Sequence, residues 1–267
     1  MTEARDIARA LPDVHAMLNA VRIAPIRVER LAGAGVGVQP GVDSAFASSC
    51  KNRVTVYDPG AADLCETLRA AREIYTRAGV GHWFAEIGPG ASDEQVASGF
   101  AAIGARVVPW VRYPVLAREP VETPALKTAM EVRRVSSAEA KRRVAEIDAI
   151  WGRPLNGGPA VTAADLPGYA VVLGFCEGKA VSMGMLLVAN GAGYLCAGGT
   201  AAECRGRGGQ SAVIAERVRI AREMGCRVCI SETVSAVMTS QRNLERAGFG
   251  VAFEWVMGEV GMASVST

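Results

Sequence analysis

Apolar residues in the second half of the chain follow two periods, and the points where one gives way to the other predict its elements. "MEVRRV" (130–135) has the two-residue period of a strand, and "SSAEAKRRVAEIDAIW" (136–151) reads as a helix with Ser136 or Ser137 as its N-cap. A loop, "GRPLNGGPAVTAADLPG" (152–168), follows. Three apolar runs then span 169–201, and the "EGK" and "NGAG" between them supply the turn chemistry of an antiparallel meander. From 211 to 224 the period lengthens: Val213, Ile214, Val218, Ile220, Ala221 and Met224 form a broad apolar stripe, and Glu216, Arg219 and Glu223 share the other face of a helix. "RVCISE" (227–232) reads as a buried strand, "TSQRNLERAGF" (239–249) as a short helix stopped by Gly248, and "GVAFEWVMGEV" (250–260) as one closing strand.

The first half has a similar order. "NRVTVYD" (52–58) is a strand, "AADLCETLRAAREIYTRAG" (61–79) a helix, "HWFAEI" (82–87) a strand, "SDEQVASGFAAIG" (92–104) a helix and "ARVVPWVRYPV" (105–115) a strand. The helix-ending glycines of the two halves fall at nearly equal spacings, Gly79 to Gly104 and Gly225 to Gly248, which points to an internal repeat. A Pro-rich, charge-mixed connector, "LAREPVETPAL" (116–126), separates the copies, so domains of 1–125 and 126–267 are expected.

Composition narrows the function. A net charge of +2 and an aromatic fraction of 6% suit neither phosphate tracking nor base stacking, so no nucleic-acid partner is expected. No apolar run is long enough to cross a membrane, and the acids in "MTEARDIARALPDVHAML" do not suit a secretory leader. A cytoplasmic protein without a membrane partner is expected. Seven cysteines are scattered from Cys50 to Cys229, mostly within apolar runs, as reduced buried thiols would be. Cys226 and Cys229 form a CxxC, but read within one strand they project to opposite faces, which argues against a shared metal or redox role. His15 and His82 lie far in sequence from each other and from any acidic cluster, so neither a metal site nor a His-based triad is expected.

One stretch carries chemistry. "RGRGG" (205–209) places two arginines and three glycines immediately before the amphipathic helix. Glycines let successive amides converge, the helix offers unpaired N-terminal N–H groups, and Arg205 and Arg207 add forked donors. A phosphate or pyrophosphate is the natural ligand. The stretch lacks the Lys-Ser/Thr of a triphosphatase P-loop and does not fit a dinucleotide fingerprint. The corresponding "YDPGAADLCE" in the first half has three acids and no arginine, so one anion site per chain is expected.

A meander, "RGRGGQ", an amphipathic helix, a strand and a short helix ending in "RNLERAGF" together resemble the GCN5-related N-acetyltransferase (GNAT) superfamily, whose acyl-CoA signature is Arg/Gln-x-x-Gly-x-Gly/Ala. Arg205, Gly208 and Gly248-Phe249 match, and Gln210 departs by standing where the signature has a small residue. The resemblance covers roughly residues 130–260, and the first half looks like a degenerate second copy. It implies an α/β (α+β) tandem GNAT-like fold with mixed, mostly antiparallel sheets flanked by helices. It also implies acetyl-CoA as co-substrate: Arg205, Gly206, Arg207, Gly208, Gly209 and Gln210 would wrap its pyrophosphate, and Gly198, Gly199 and Thr200 would pair with its pantetheine arm. Ser240 and Asn243 would hydrogen-bond the coenzyme.

Acyl transfer to an amine needs a base and a donor for the leaving thiolate. The resemblance places a tyrosine acid at position 244, where this chain has leucine. Glu232, at the end of its strand, is the candidate base, with Glu203 second. The resemblance would direct the thioester into a gap between the strand of 198–200 and "RVCISE", and Tyr194 replaces the missing acid only if its strand register points it into that gap. The amine acceptor would meet 152–168 and the first half, and a small amine, an amino acid, an antibiotic and a protein lysine all fit. The alternative is an acyl-CoA-binding sensor or pseudoenzyme with little turnover. A tandem chain buries the surfaces that single-domain relatives use to dimerise, so a monomer is expected.

Overall fold

The computed structural model describes residues 3–21, 26–41, 51–107, 114–120, 130–233 and 238–261. Cys50 and the ends or middles of several expected segments, including 108–113 and 121–126, lie outside them. In chain order the first half contains α1 (Ala4–Ala20), β1 (Arg27–Leu31), β2 (Ala34–Val38), β3 (Arg53–Val56), α2 (Leu64–Arg77), β4 (Trp83–Ile87), α3 (Asp93–Ile103), β5 (Arg106–Val107) and β6 (Pro114–Arg118). The second half contains β7 (Glu131–Val135), α4 (Ser137–Arg142), α5 (Val144–Trp151), α6 (Pro159–Ala163), β8 (Tyr169–Cys176), β9 (Lys179–Ala189), β10 (Ala192–Thr200), α7 (Gly209–Glu223), β11 (Val228–Glu232), α8 (Met238–Arg246), β12 (Gly250–Glu254) and β13 (Val256–Val260).

Local signals set the boundaries. Ser136 caps α4 by accepting from the Glu139 amide, Asp63 caps α2, and Ser92 with Gln95 makes a reciprocal capping box on α3. The single helix expected over 136–151 is two helices, because Arg143 leaves helical geometry at φ −115° and ψ 21°. Its guanidinium bonds Glu146 and the Gly178 carbonyl and lies 4.8 Å from the Phe175 ring centre, partners that lie off the helix axis.

The strands form two mostly antiparallel sheets, in the orders β1-β2-β3-β4-β13-β5 and β12-β6-β11-β10-β9-β8-β7. Each contains one parallel pair, β3 with β4 and β10 with β11. Two expectations fail here in a related way. The closing strand expected over 250–260 divides at Trp255, with β12 in the second sheet and β13 in the first. The strand expected over 105–115 also divides, β5 staying in the first sheet while β6 enters the second between β11 and β12. Each half therefore gives one inner strand to the other. An alternating pattern specifies which face of a strand is buried, and is silent about which sheet supplies its neighbours.

Side chains fasten both exchanged strands. Glu259 of β13 accepts from His82 at 2.8 Å and from Arg106 of β5 at 2.6 Å. Arg118 of β6 donates to the Ala247 carbonyl beyond α8 and lies over the Phe249 ring.

Helices α2 and α3 cover one face of the first sheet through Val54, Val56, Leu68, Ala71, Phe100 and Ile103. Helix α7 and Leu244 of α8 cover one face of the second, against Leu186, Leu195 and Cys229. The largest cluster joins the remaining faces, bringing Leu11 and Val14 of α1 against Met185, Leu187, Tyr194 and Ile230, with Tyr57, Phe84 and Trp255. Ile7, Leu11, Val14 and His15 lie on one stripe of α1, and burying its three apolar members contributes roughly 5 kcal/mol of gross transfer free energy. That packing fixes the position of His15.

Candidate active site

Three neighbouring cavities that share lining residues define the site. The first is a groove of about 820 Å³ running from Gly198–Thr200 of β10 over the 205–210 loop to α8. It brings together Gly198, Gly199, Thr200, Arg205, Gly206, Gly208, Gly209, Gln210, Ser240 and Asn243, all expected from sequence to serve one ligand. Arg207 is exposed and outside that lining. Gly206 and Gly208 have φ of 77° and 80°, the left-handed conformation that a side chain disfavours. Gly208 is the N-cap of α7 and has no capping side chain, so the first amides of the helix open onto the loop. A Cβ on Gly209 would lie 2.8 Å from the Met130 sulfur, so this glycine serves the packing beneath the loop.

Glycine has a different purpose in β10. A Cβ on Gly198 would meet Gln210 Nε2 at 2.5 Å, and one on Gly199 would meet Ile150 at 3.0 Å. Gln210, the departure from the signature, thus lays its side chain on the strand, and its Oε1 is buried without a hydrogen-bond partner. Trp151 Nε1, in the same groove, is likewise buried and unpartnered.

The ladder between β10 and β11 ends at Leu195 and Ser231, although β10 continues to Thr200 through a bulge at Cys196–Gly199, where Ala197 has φ of 52°. The strands separate there, and a small cleft of about 60 Å³ opens between Cys196–Gly198, Ser231, Glu232 and Leu244. Its floor is Arg217 of α7, 2% exposed, which donates to the carbonyls of Val213, Met185 and Cys196. Burial pulls this guanidinium down to about 10.

Beyond the cleft, a cavity of about 420 Å³ lies between α1, the first sheet and the end of β11. Glu232 lines both spaces. It shares a face of β11 with Ile230, and its carboxylate accepts from His15 Nε2 at 2.9 Å, Tyr194 Oη at 2.7 Å and Trp255 Nε1 at 2.6 Å. Burial opposes its charge, but His15, Arg53 and Tyr194 outweigh that and hold Glu232 down at about 2. An ionised carboxylate only accepts, so His15 Nε2 carries a proton. His15 Nδ1 faces Tyr57 Oη at 3.0 Å, giving a continuous chain Tyr57–His15–Glu232. Burial raises both Tyr57 and Tyr194, which stay protonated.

The sequence reading missed His15, Tyr57 and Trp255. His15 lies in no acidic cluster in sequence and meets Glu232 across 217 positions; His82 likewise meets Glu259 across 177. The one available signal was the place of His15 in the apolar stripe of α1. Tyr194 points to Glu232 and lines the cavity beside α1, and Leu244 is 4% exposed and packed in the α7 layer. Glu203 is exposed and lines none of the three spaces. Cys226 precedes β11, in the turn after α7, so the opposite-face argument does not apply: it shares an apolar cluster with Cys229. Burial raises both thiols, Cys229 to about 12. The six described cysteines are free, and among the described residues no group of His, Cys, Asp and Glu could hold a metal ion. No described helix is long and apolar enough to cross a membrane.

This architecture, two mixed sheets each with one parallel pair and the second parted there, is the GNAT fold in its tandem arrangement. The chain is similar over 100% of its length to a GCN5-related N-acetyltransferase from Kribbella flavida, with TM-score 0.67, 19% identity and 98% of that chain covered. It is also similar to a tandem GNAT protein from the clavulanic acid biosynthesis pathway, with TM-score 0.64 and 13% identity over 96% of this chain and 90% of that one. A GCN5-related N-acetyltransferase from Sphaerobacter thermophilus matches with TM-score 0.58 and 16% identity over 85% and 80%. Neither a protein-family model nor a curated protein matches the chain. At these identities the likeness establishes the fold.

Proposed function

We propose that the protein is an acetyl-CoA-dependent N-acetyltransferase acting on an amine held in the cavity beside Glu232. The observation that carries this reading is the adjacency of groove, cleft and cavity: Gly198, Gln210, Ser240 and Asn243 line both the groove and the cleft, and Glu232 lines both the cleft and the cavity. A coenzyme seated on the 205–210 loop would lay its arm along 198–200 and present its thioester at the strand separation. The names of the structural neighbours agree with this chemistry.

A carboxyl held at about 2 is too weak a base to take a proton from an ammonium group. Glu232 instead holds and orients His15, whose neutral imidazole, reached through the Tyr57 hydroxyl, is the base, and the ion pair with Glu232 stabilises the imidazolium once the proton has arrived. As the amine attacks, the C–N bond forms, the thioester C–S bond breaks and the amine proton passes to His15. The thiolate leaves beside the Arg217 cation and takes a proton from solvent, because Leu244 offers none.

Mixing the protein with acetyl-CoA and a panel of amines, while following free thiol, tests transfer. Calorimetry with acetyl-CoA tests the loop, and Arg205→Ala with Arg207→Ala is expected to weaken binding about 100-fold. Unchanged affinity would refute the loop assignment. Leu244 favours a second reading, an acyl-CoA sensor, which tight binding without thiol release for any amine would establish.

A further inference from the structure

The cavity that would receive the amine is lined by more positive than negative charge. Arg9, Arg30, Lys51 and Arg53 face it, against Asp58 and Glu232. Arg9 is matched by Asp58 at 3.0 Å, and Arg30 by Asp13 at the rim. Glu232 is taken up by its three donors. Arg53, with a side chain 18% exposed, bonds Glu86 at 2.7 Å behind the wall, and burial pushes that carboxyl up to about 7. The field of Arg53 reaches Glu232, whose ionised form it favours. Lys51, half-buried, has no ion pair among the described residues. At the Glu232 end, Thr233 is 5% exposed and its hydroxyl is buried without a partner.

With the three arginines in ion pairs, Lys51 is the lining cation left without a carboxylate among the described residues, and a molecule bearing an anion as well as its amine would match it. The volume suits a small molecule. Resting on the acetyltransferase reading, we infer that the acceptor is a small amine carrying a carboxylate, with the carboxylate held by Lys51 and Arg53 and the amine placed at Glu232 and His15. The first half of the chain would then supply the selectivity for the acceptor.

The test uses the full chain and matched probes: unbranched ω-amino acids with one to six methylenes, each beside its carboxamide. Two readouts are followed, acetyl-CoA-dependent thiol release and the ligand-induced shift in melting temperature. At the best chain length the acid is expected to exceed the amide at least tenfold in kcat/KM and to give the larger shift. In Lys51→Met that preference should collapse toward one, and Lys51→Arg should restore it. Equal responses to acid and amide at every length, or no response to any pair, would overturn the inference. The two readings fail separately. Acid-selective stabilisation without thiol release would remove the transferase and leave the anion-selective cavity, whereas equal turnover of acids and amides would do the reverse.

Discussion

Replacing Glu232 by Gln removes one charge and keeps the side chain's shape, so its effect reads the network around it. The carboxylate accepts from His15, Tyr194 and Trp255, all within 2.9 Å. A carboxamide accepts only through its oxygen. With that oxygen toward Trp255, the amide nitrogen must face Tyr194 and His15, and both must reverse their roles. The magnitude follows from the carboxyl being held at about 2 against an ordinary 4.5, a net preference for the ionised form worth about 3 kcal/mol. Three charge-assisted bonds exchanged for neutral ones give a loss of the same order. At pH 7 the variant should therefore melt roughly 6–12 °C lower. The sign of the pH dependence is fixed because this folded-state value is depressed. The stabilisation is fully present above the unfolded value and is lost as pH falls through about 2, so the gap should shrink to less than half by pH 3. Thermal melts followed by circular dichroism at the two pH values measure it. A gap of equal size at both, or none at pH 7, would refute the reasoning. On the proposed reading, acetyl transfer should fall about 100-fold in the same variant while acetyl-CoA affinity holds, since Glu232 lies outside the groove along the 205–210 loop.

Two further substitutions probe the supporting charges. Arg217→Met leaves the carbonyls of Met185 and Cys196 without this donor at the bulge, and should cost about 3 kcal/mol in urea unfolding and speed amide exchange across 197–199; unchanged exchange would show that the bulge does not depend on Arg217. Glu86 is raised by burial to about 7, so its contribution is fully present below an ordinary 4.5 and is lost as pH rises through 7. Melting temperatures of the parent should consequently fall relative to Glu86→Gln between pH 5 and 8, and parallel curves would contradict that assignment.

The features legible in the sequence are those encoded locally. The 205–210 loop places its glycines, arginines and following helix within a few residues, and alternation alone sets Glu232 on the same face as Ile230. The meander and the serine cap on α4 are legible for the same reason. What joins the halves is not. His15 lies in an apolar stripe, as any core histidine would, and only the tertiary fold brings Glu232 within reach of it. "GVAFEWVMGEV" is a continuous strand pattern because β12 and β13 are both strands, and the crossing at Trp255 adds no break to it. Trp255 reads as one more apolar position, yet its indole N–H is a donor to Glu232.

The exchange of β6 and β13 bears on how the molecule is made. During synthesis the first sheet has no inner strand between β4 and β5 until residue 260 has emerged, because β13 pairs with residues 83–87 and 106–107. The N-terminal half therefore waits for the whole chain, and these pairings give the fold a high contact order. Two copies caught at that stage offer each other the same unfilled slot, so an intertwined dimer is the natural product of crowded refolding. In the finished molecule, the same crossing sets Trp255 beside Glu232. Completion of the last strand and assembly of the carboxylate's hydrogen-bond shell are thus one event.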